Sequence, residues 1–296
     1  MSLALTEFDA AIRLPRASYT RQMRVVVALA SLALFLNGAD APFEKARVHY
    51  ESYGSGSEAI VFIHGWTCDL TFWRGQAPVY QKYRSLLIDL PGHGQSDKSA
   101  VNYTMERFAR GVEAVLRDAH VEHAILVGHS MGGPVALEFL RLFPQKAKAV
   151  VFVDGYLRFE PAGPDRSAQK IRAANYKPWM SGLIDGMFSP NTTPEMRAEI
   201  KSKMLAAPHQ MLVSAWEGMR NVAPIAPQEK YSIPALAILT GGPTRAAYEK
   251  RLRKVFPGLR GYETWEGSGH FLMMESPERF NASLAAFVDG LGGSKP

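Results

Sequence analysis

Gly128-His129-Ser130-Met131-Gly132 sets a serine between two glycines. It lies between an apolar stretch, Ala124-Ile125-Leu126-Val127, and a helix-forming one, Pro134 to Phe143. A serine hydroxyl becomes a useful nucleophile when a sharp strand-to-helix turn lifts it clear of the backbone. Such a turn needs small neighbours, which Gly128 and Gly132 supply. Gly133 follows, and Pro134 falls in the first helical turn, where its missing N–H costs little. The start of the helix offers free N–H groups and a favourable dipole to developing negative charge. The chemistry indicated is attack on an acyl carbonyl by Ser130.

A serine nucleophile needs a base, and His270 is the candidate among eight histidines. It stands in Gly267-Ser268-Gly269-His270-Phe271, between the last strand-like segment and the last helix. A loop there returns to the sheet edge that carries Ser130. His129 adjoins the nucleophile, but neighbouring side chains on a turn are expected to point apart. His93, in Pro91-Gly92-His93-Gly94, reads as structural. The oxyanion of a tetrahedral intermediate needs two backbone donors. Met131, after the nucleophile, would give one, and Trp66, in His64-Gly65-Trp66, the other.

The elements that must hold these residues follow from the apolar runs. Ala46 to Tyr53, ending in Gly54-Ser55-Gly56, reads as a strand and hairpin turn. Further strands are expected over Ala59–Ile63, Arg84–Leu90, Ala124–Val127, Lys148–Val153, Ala235–Thr240 and Gly261–Trp265. Helical spacing is found over Tyr103–Ala119, Pro134–Phe143, Thr244–Val255 and Pro277–Leu291. Apolar strands alternating with helices imply a parallel sheet covered on both faces. Tyr156 to Tyr231 breaks the alternation, with six of the twelve methionines and no clear strand. It is read as a helical cap inserted over the sheet. Most of its Met and aromatic residues should pack the cap itself. Trp179, Met180, Met187, Phe188 and Trp216 are the candidates to line an adaptable apolar substrate pocket.

Composition narrows the class. The 296 residues are 47% hydrophobic and carry a net charge of +6. The one short basic run, Lys250 to Lys254, suits a solvated helix face better than nucleic acid. The single cysteine, Cys68, excludes an intramolecular disulfide and reads as a small buried apolar residue. No Cys/His spacing indicates a metal. At the N-terminus, Arg21 and Arg24 precede an apolar run from Val25 to Leu36, and Ala39-Asp40-Ala41 has small-residue spacing. Residues 1–41 thus read as an extension with the pattern of a signal peptide. That predicts export to the periplasm or medium, and a cytoplasmic protein if the segment is a plain extension. The run is too short for a stable membrane anchor.

Taken together, His64-Gly65-Trp66, Asp89 to Ser96, Gly128 to Gly133 and Gly269-His270 resemble the α/β-hydrolase superfamily. The resemblance is strongest to its small esterases, lactonases and cofactor-free haloperoxidase-like enzymes, and it runs over about residues 44–292. It implies a mostly parallel eight-stranded sheet with helices on both faces, a helical cap, and no cofactor. In most of that family the acid of the triad follows the strand before the histidine loop. Here that strand ends Thr240-Gly241-Gly242-Pro243-Thr244-Arg245, and no carboxylate appears until Glu249. A minority of the superfamily carries the acid at the end of the preceding strand, which is Asp154 here. Glu249, Glu266 or no acid at all are the alternatives. Members with an epoxide hydrolase or haloalkane dehalogenase activity place an Asp where Ser130 stands, which disfavours both activities. The resemblance implies hydrolysis of a small ester or lactone through an acyl-enzyme, with Ser130, His270 and Asp154 as triad. N-acyl homoserine lactone or carbon–carbon bond hydrolysis by the same residues is the alternative, and a non-catalytic binding protein the alternative of another class.

Overall fold

The computed structural model describes residues 38–158 and 166–292. The apolar run Val25–Leu36 lies outside the described residues.

Eight strands form one sheet: β1 (Gly38–Phe43), β2 (Ala46–Tyr53), β3 (Glu58–Ile63), β4 (Ser85–Ile88), β5 (His123–His129), β6 (Ala147–Val153), β7 (Ala235–Thr240) and β8 (Leu259–Trp265). Their order is β1-β2-β4-β3-β5-β6-β7-β8. β2 runs antiparallel to β1 and β4, and every pairing from β4 through β8 is parallel. β3, β5 and β6 are buried along nearly their whole length rather than on alternate residues. Covering both faces explains why their sequences are unbroken apolar runs.

One expectation is corrected. Gly54-Ser55-Gly56 is not a hairpin turn, because β2 pairs with β1 and β4 rather than with β3. β4 takes the place beside β3, as a parallel partner reached through a crossover. β1 occupies residues read from the sequence as the end of a signal peptide. The small residues of Ala39-Asp40-Ala41 serve an edge strand in which Ala41 is fully buried. Asp40 there bonds Arg47 at 2.6 Å and His49 at 2.9 Å.

The helices are α1 (Ala77–Tyr80), α2 (Met105–Asp118), α3 (Gly132–Leu142), α4 (Arg166–Arg172), α5 (Tyr176–Asp185), α6 (Pro194–Leu205), α7 (His209–Arg220), α8 (Arg245–Val255), α9 (Leu272–Glu275) and α10 (Pro277–Asp289). α2 is typical of how the sequence sets them. The Thr104 hydroxyl accepts from the Arg107 N–H, Glu106 sits in the first turn and Arg117 in the last. Met105, Phe108, Ala109, Val112, Val115 and Leu116 recur every three or four residues and are buried. α2 packs on α3, and α3 on β5 and β6; α10 packs on α1 and the short turn Leu70–Gln76. The cap comprises α4 to α7, all within the expected insertion.

β1 makes a prediction about the first residue the domain needs. A chain starting at Pro42 loses four strand residues, Ala41 and the Asp40 bonds, costing about 2 kcal/mol. Its thermal midpoint should fall about 4–8 °C below that of a chain starting at Gly38, measured by circular dichroism.

Candidate active site

The end of β5 is bent hard. Ser130 has φ +52°, in the left-handed region that side chains other than glycine seldom enter. The strain is held by neighbours: the Ser130 N–H donates to the Val153 carbonyl at 3.0 Å, and the Gly133 N–H to the Ser130 carbonyl at 2.9 Å. The turn is too tight for side chains beside it. A Cβ on Gly128 would come within 2.4 Å of the Gly132 carbonyl oxygen, and one on Gly132 within 2.5 Å of the Ile63 oxygen. The spacing of glycines in the motif is therefore steric.

Asp154 ends the adjacent strand in the same way, with φ +38°. Its N–H donates to the Ile238 carbonyl at 2.8 Å, fixing the backbone against β7. Asp154 Oδ2 lies 2.6 Å from His270 Nδ1. Oδ1 accepts from the Thr240 N–H at 3.0 Å, the Thr240 hydroxyl at 2.9 Å and Arg245 Nη2 at 2.8 Å. Burial alone would raise the carboxyl pKa. The His270 hydrogen bond and charge, the Thr240 N–H and the Arg245 guanidinium outweigh it and hold it well below the usual carboxylate range. The other acids are elsewhere. Glu249 pairs with Arg253 one turn along α8 at 2.7 Å. The Glu266 carboxylate lies against the Gly241 backbone, where a Cβ would meet it at 2.1 Å.

His129 does not point away from the site. Its ring centroid is 4.7 Å from that of His270, and its Nε2–H donates to the His270 carbonyl at 2.8 Å. Burial, and then the neighbouring His270 ring, push its pKa down to about 3. His129 is thus a neutral strut beneath the histidine loop, its proton fixed on Nε2 by that acceptor.

A second support comes from the cap. The His270 N–H donates to the Met187 carbonyl at 2.8 Å. Glu275 accepts from the Gly269 N–H at 2.8 Å and from the Ser189 hydroxyl at 3.0 Å, and it also takes the Thr192 hydroxyl. Asn191 Nδ2 donates to the Gly267 carbonyl at 3.2 Å. The loop that carries His270 is laced to the segment after α5.

Ser130, His270, Asp154, Trp66 and Met131 all line one cavity of about 430 Å³. Trp66 also ties the loop after β3 to the cap. Its Nε1–H donates to the Leu212 carbonyl at 3.0 Å, and its ring lies 5.0 Å from that of Trp216. Of the expected pocket residues, Met187 and Trp216 line the cavity and Trp179, Met180 and Phe188 do not. Met180 faces inward with Ile184, four residues on, and both are fully buried in the cap. Phe188 is turned behind the cavity against Phe271, 6.1 Å away, and under Arg197. Trp179 is only partly buried, packed on the cap core. Leu183, Met204 and Met219 line the cavity instead, with Cys68, whose thiol pKa burial pushes up. Met219 lies one turn from Trp216 on α7, a spacing that was visible in the sequence. Arg245 also lines it and carried no signal at all. Among the described residues no group of three His, Cys, Asp or Glu could hold a metal ion.

A strand-end serine, an Asp–His pair and a capped cavity at one edge of an eight-stranded, mostly parallel sheet define a hydrolase architecture. A family model described as alpha/beta hydrolase fold matches residues 58–211, just over half of the sequence, and the chain belongs to this family. An uncharacterized protein of Mycobacterium tuberculosis is 40% identical over 101 residues, 34% of this chain. That match spans only 29% of the mycobacterial protein's length. An AB hydrolase superfamily protein of Bacillus subtilis is 26% identical over 260 residues, 82% of this chain and 96% of its own. Among solved structures, Est816, described as an N-acyl homoserine lactone degrading enzyme, is 25% identical with a TM-score of 0.73. It matches 84% of this chain and 100% of its own. A thermophilic esterase from Thermogutta terrifontis shares the fold at 22% identity and a TM-score of 0.74, over 86% and 98% of the two chains.

Two outcomes follow for stability. Unfolding returns the Asp154 carboxyl to its ordinary value near 3.8, above its folded one. Its contribution is then complete above about pH 4 and lost as the pH falls below that. The gap in urea midpoint between wild type and Asp154→Asn should be widest at neutral pH and narrow from pH 4 downward. At Gly269 a Cβ would lie 2.7 Å from the Ser189 nitrogen and 2.8 Å from the Met187 oxygen. Gly269→Ala should cost about 1–3 kcal/mol by forcing the two segments apart. A melt should record a loss of roughly 2–4 °C per kcal/mol.

Proposed function

We propose that the chain hydrolyses carboxylic esters through an acyl-enzyme formed on Ser130. The observation that carries this reading is the 2.6 Å contact between Asp154 Oδ2 and His270 Nδ1 on the wall of the cavity that Ser130 lines. With Nδ1 turned to the carboxylate, Nε2 is the ring nitrogen left to take the Ser130 proton. The Ser130 oxygen attacks the acyl carbon as His270 Nε2 removes its proton. The oxyanion sits between the N–H groups of Met131 and Trp66, neither of which is engaged by another group among the described residues. His270 then protonates the leaving alcohol. Water, deprotonated by His270, cleaves the acyl-enzyme and restores Ser130. Asp154 holds the ring and its tautomer throughout.

The walls favour an apolar acyl part. Met187, Met204 and Met219 supply thioethers that adapt to irregular shapes, beside Leu183, Trp216 and Phe271. A lactone with an acyl side chain is a second reading, supported by the likeness to Est816. Carbon–carbon bond cleavage draws on a 35% identity over 115 residues to a 2-hydroxy-6-oxononadienedioate hydrolase of Burkholderia vietnamiensis. Export belongs to the same proposal, on the sequence pattern of residues 1–41 alone.

With p-nitrophenyl esters of graded chain length, Ser130→Ala should lose at least about 10⁴-fold in kcat, and a fluorophosphonate should label wild type only at Ser130. Asp154→Asn should lose about 10³–10⁴-fold while Glu249→Gln stays near wild type. Wild-type turnover by Ser130→Ala would sink the reading, and a folded chain that neither turns over nor labels would favour a binding protein.

A further inference from the structure

We infer that Arg245 is a positioning residue of the active site, which orients the Asp154 carboxylate and offsets its charge where that carboxylate faces His270. This rests on the roles given to Ser130, His270 and Asp154 above.

The guanidinium is placed by four hydrogen bonds. Nε donates to the Thr240 carbonyl at 2.7 Å, and Nη2 to the Thr240 hydroxyl at 2.7 Å and to Asp154 Oδ1 at 2.8 Å. Nη1 donates to the Tyr156 hydroxyl at 3.2 Å, and the Tyr156 ring lies 5.5 Å away. Side-chain exposure is 10% for Arg245 and 9% for Asp154. Charges so far out of water are retained only with specific partners. Local preference also runs against the site. Arg245 is the first residue of α8, where the helix dipole disfavours a cation. What holds it there is the carboxylate at the end of β6.

Two effects follow. With Oδ1 saturated by Thr240 and Arg245, the only oxygen left to His270 is Oδ2, and the plane of the carboxylate is set. The fixed positive charge also offsets the carboxylate that faces His270. A proton on the imidazole would be stabilised by Asp154 but opposed by Arg245 behind it. Of the two arginines that line the cavity, Arg245 is bonded to Asp154, while Arg220 stands at the end of α7. His129, from β5, is neutral; Tyr156, from the start of the cap insertion, is a hydrogen-bond partner of Arg245 itself. Glu275, on α9, is occupied by the Gly269 N–H and the Ser189 and Thr192 hydroxyls, and Glu266 lies against Gly241. His64 is buried, with Nε2 taken by the Leu90 N–H.

The test is the pH profile of kcat/KM for a neutral p-nitrophenyl ester, in wild type, Arg245→Gln and Arg245→Lys. Removing the charge in Arg245→Gln should move the acid limb up by about one pH unit, with KM little changed. Arg245→Lys keeps the charge and loses the fork, so kcat falls several-fold while the limb stays where wild type has it. An unmoved or lowered limb in folded Arg245→Gln overturns the inference. If that variant does not fold, Arg245→Lys decides: a several-fold fall in kcat with an unmoved limb supports the inference, and an unchanged kcat, or a limb displaced by a full unit despite the retained charge, overturns it. Ser130→Ala and fluorophosphonate labelling separate the two levels. Activity that does not depend on Ser130 defeats the mechanism itself. Ser130-dependent activity with an unresponsive limb defeats only the role of Arg245.

Discussion

A carboxylate buried at the centre of a protein must find its donors within the protein. Asp154 is the point where that constraint bears on this fold. Its two oxygens meet four donors brought by three separate pieces of chain: the end of β7, the start of α8 and the loop after β8. Lose any one of these and an ion is left short of partners in a medium that does not supply them. The last two strands and the helix between them are thus tied to the middle of the sheet by charge as well as by packing.

The histidine is held by quite different means. His270 lies on a loop, and its place depends on contacts from three sides: Asp154 at the ring, the His129 strut below the carbonyl, and the Met187 carbonyl at its N–H. The last of these belongs to the cap insertion. Glu275 reinforces it by gripping Gly269 and Ser189 together. The cap is therefore part of the support of His270 as well as a wall of the cavity, and Trp66 gives it a further fastening through Leu212.

How much of this the sequence declares depends on how local the cause is. The serine turn was legible because its reasons are steric and lie within five residues. The buried strands were legible because burial on both faces writes itself as unbroken apolar runs. β1 was not: six residues with Gly, Asp and Pro make an edge strand only because β2 lies beside them. The pairing of β2 with β4 was hidden for the same reason, since a turn signal does not say which strand comes next in space. Within the cap, composition suggested a pocket but could not say which face of each helix meets it. Met180 and Leu183 are three residues apart, and only Leu183 reaches the cavity. Arg245 is the extreme case, an ordinary basic residue on a basic helix until β6 and β7 are folded beside it.

One consequence of the strand ladder concerns mechanical freedom. Where the acid follows the strand before the histidine loop, nucleophile, acid and base stand on three independent connections. Here Ser130 and Asp154 end neighbouring strands, and the Ser130 N–H bonds the residue just before Asp154. The ladder thus fixes the backbones of those two residues against each other, and the arrangement of Ser130, Asp154 and His270 turns on the pose of the His270 loop. The segment Gly241-Gly242-Pro243 carries no carboxylate, but it spans Thr240 and Arg245, the two residues that saturate Asp154 Oδ1, so its length is bound to that arrangement as tightly as the strands are.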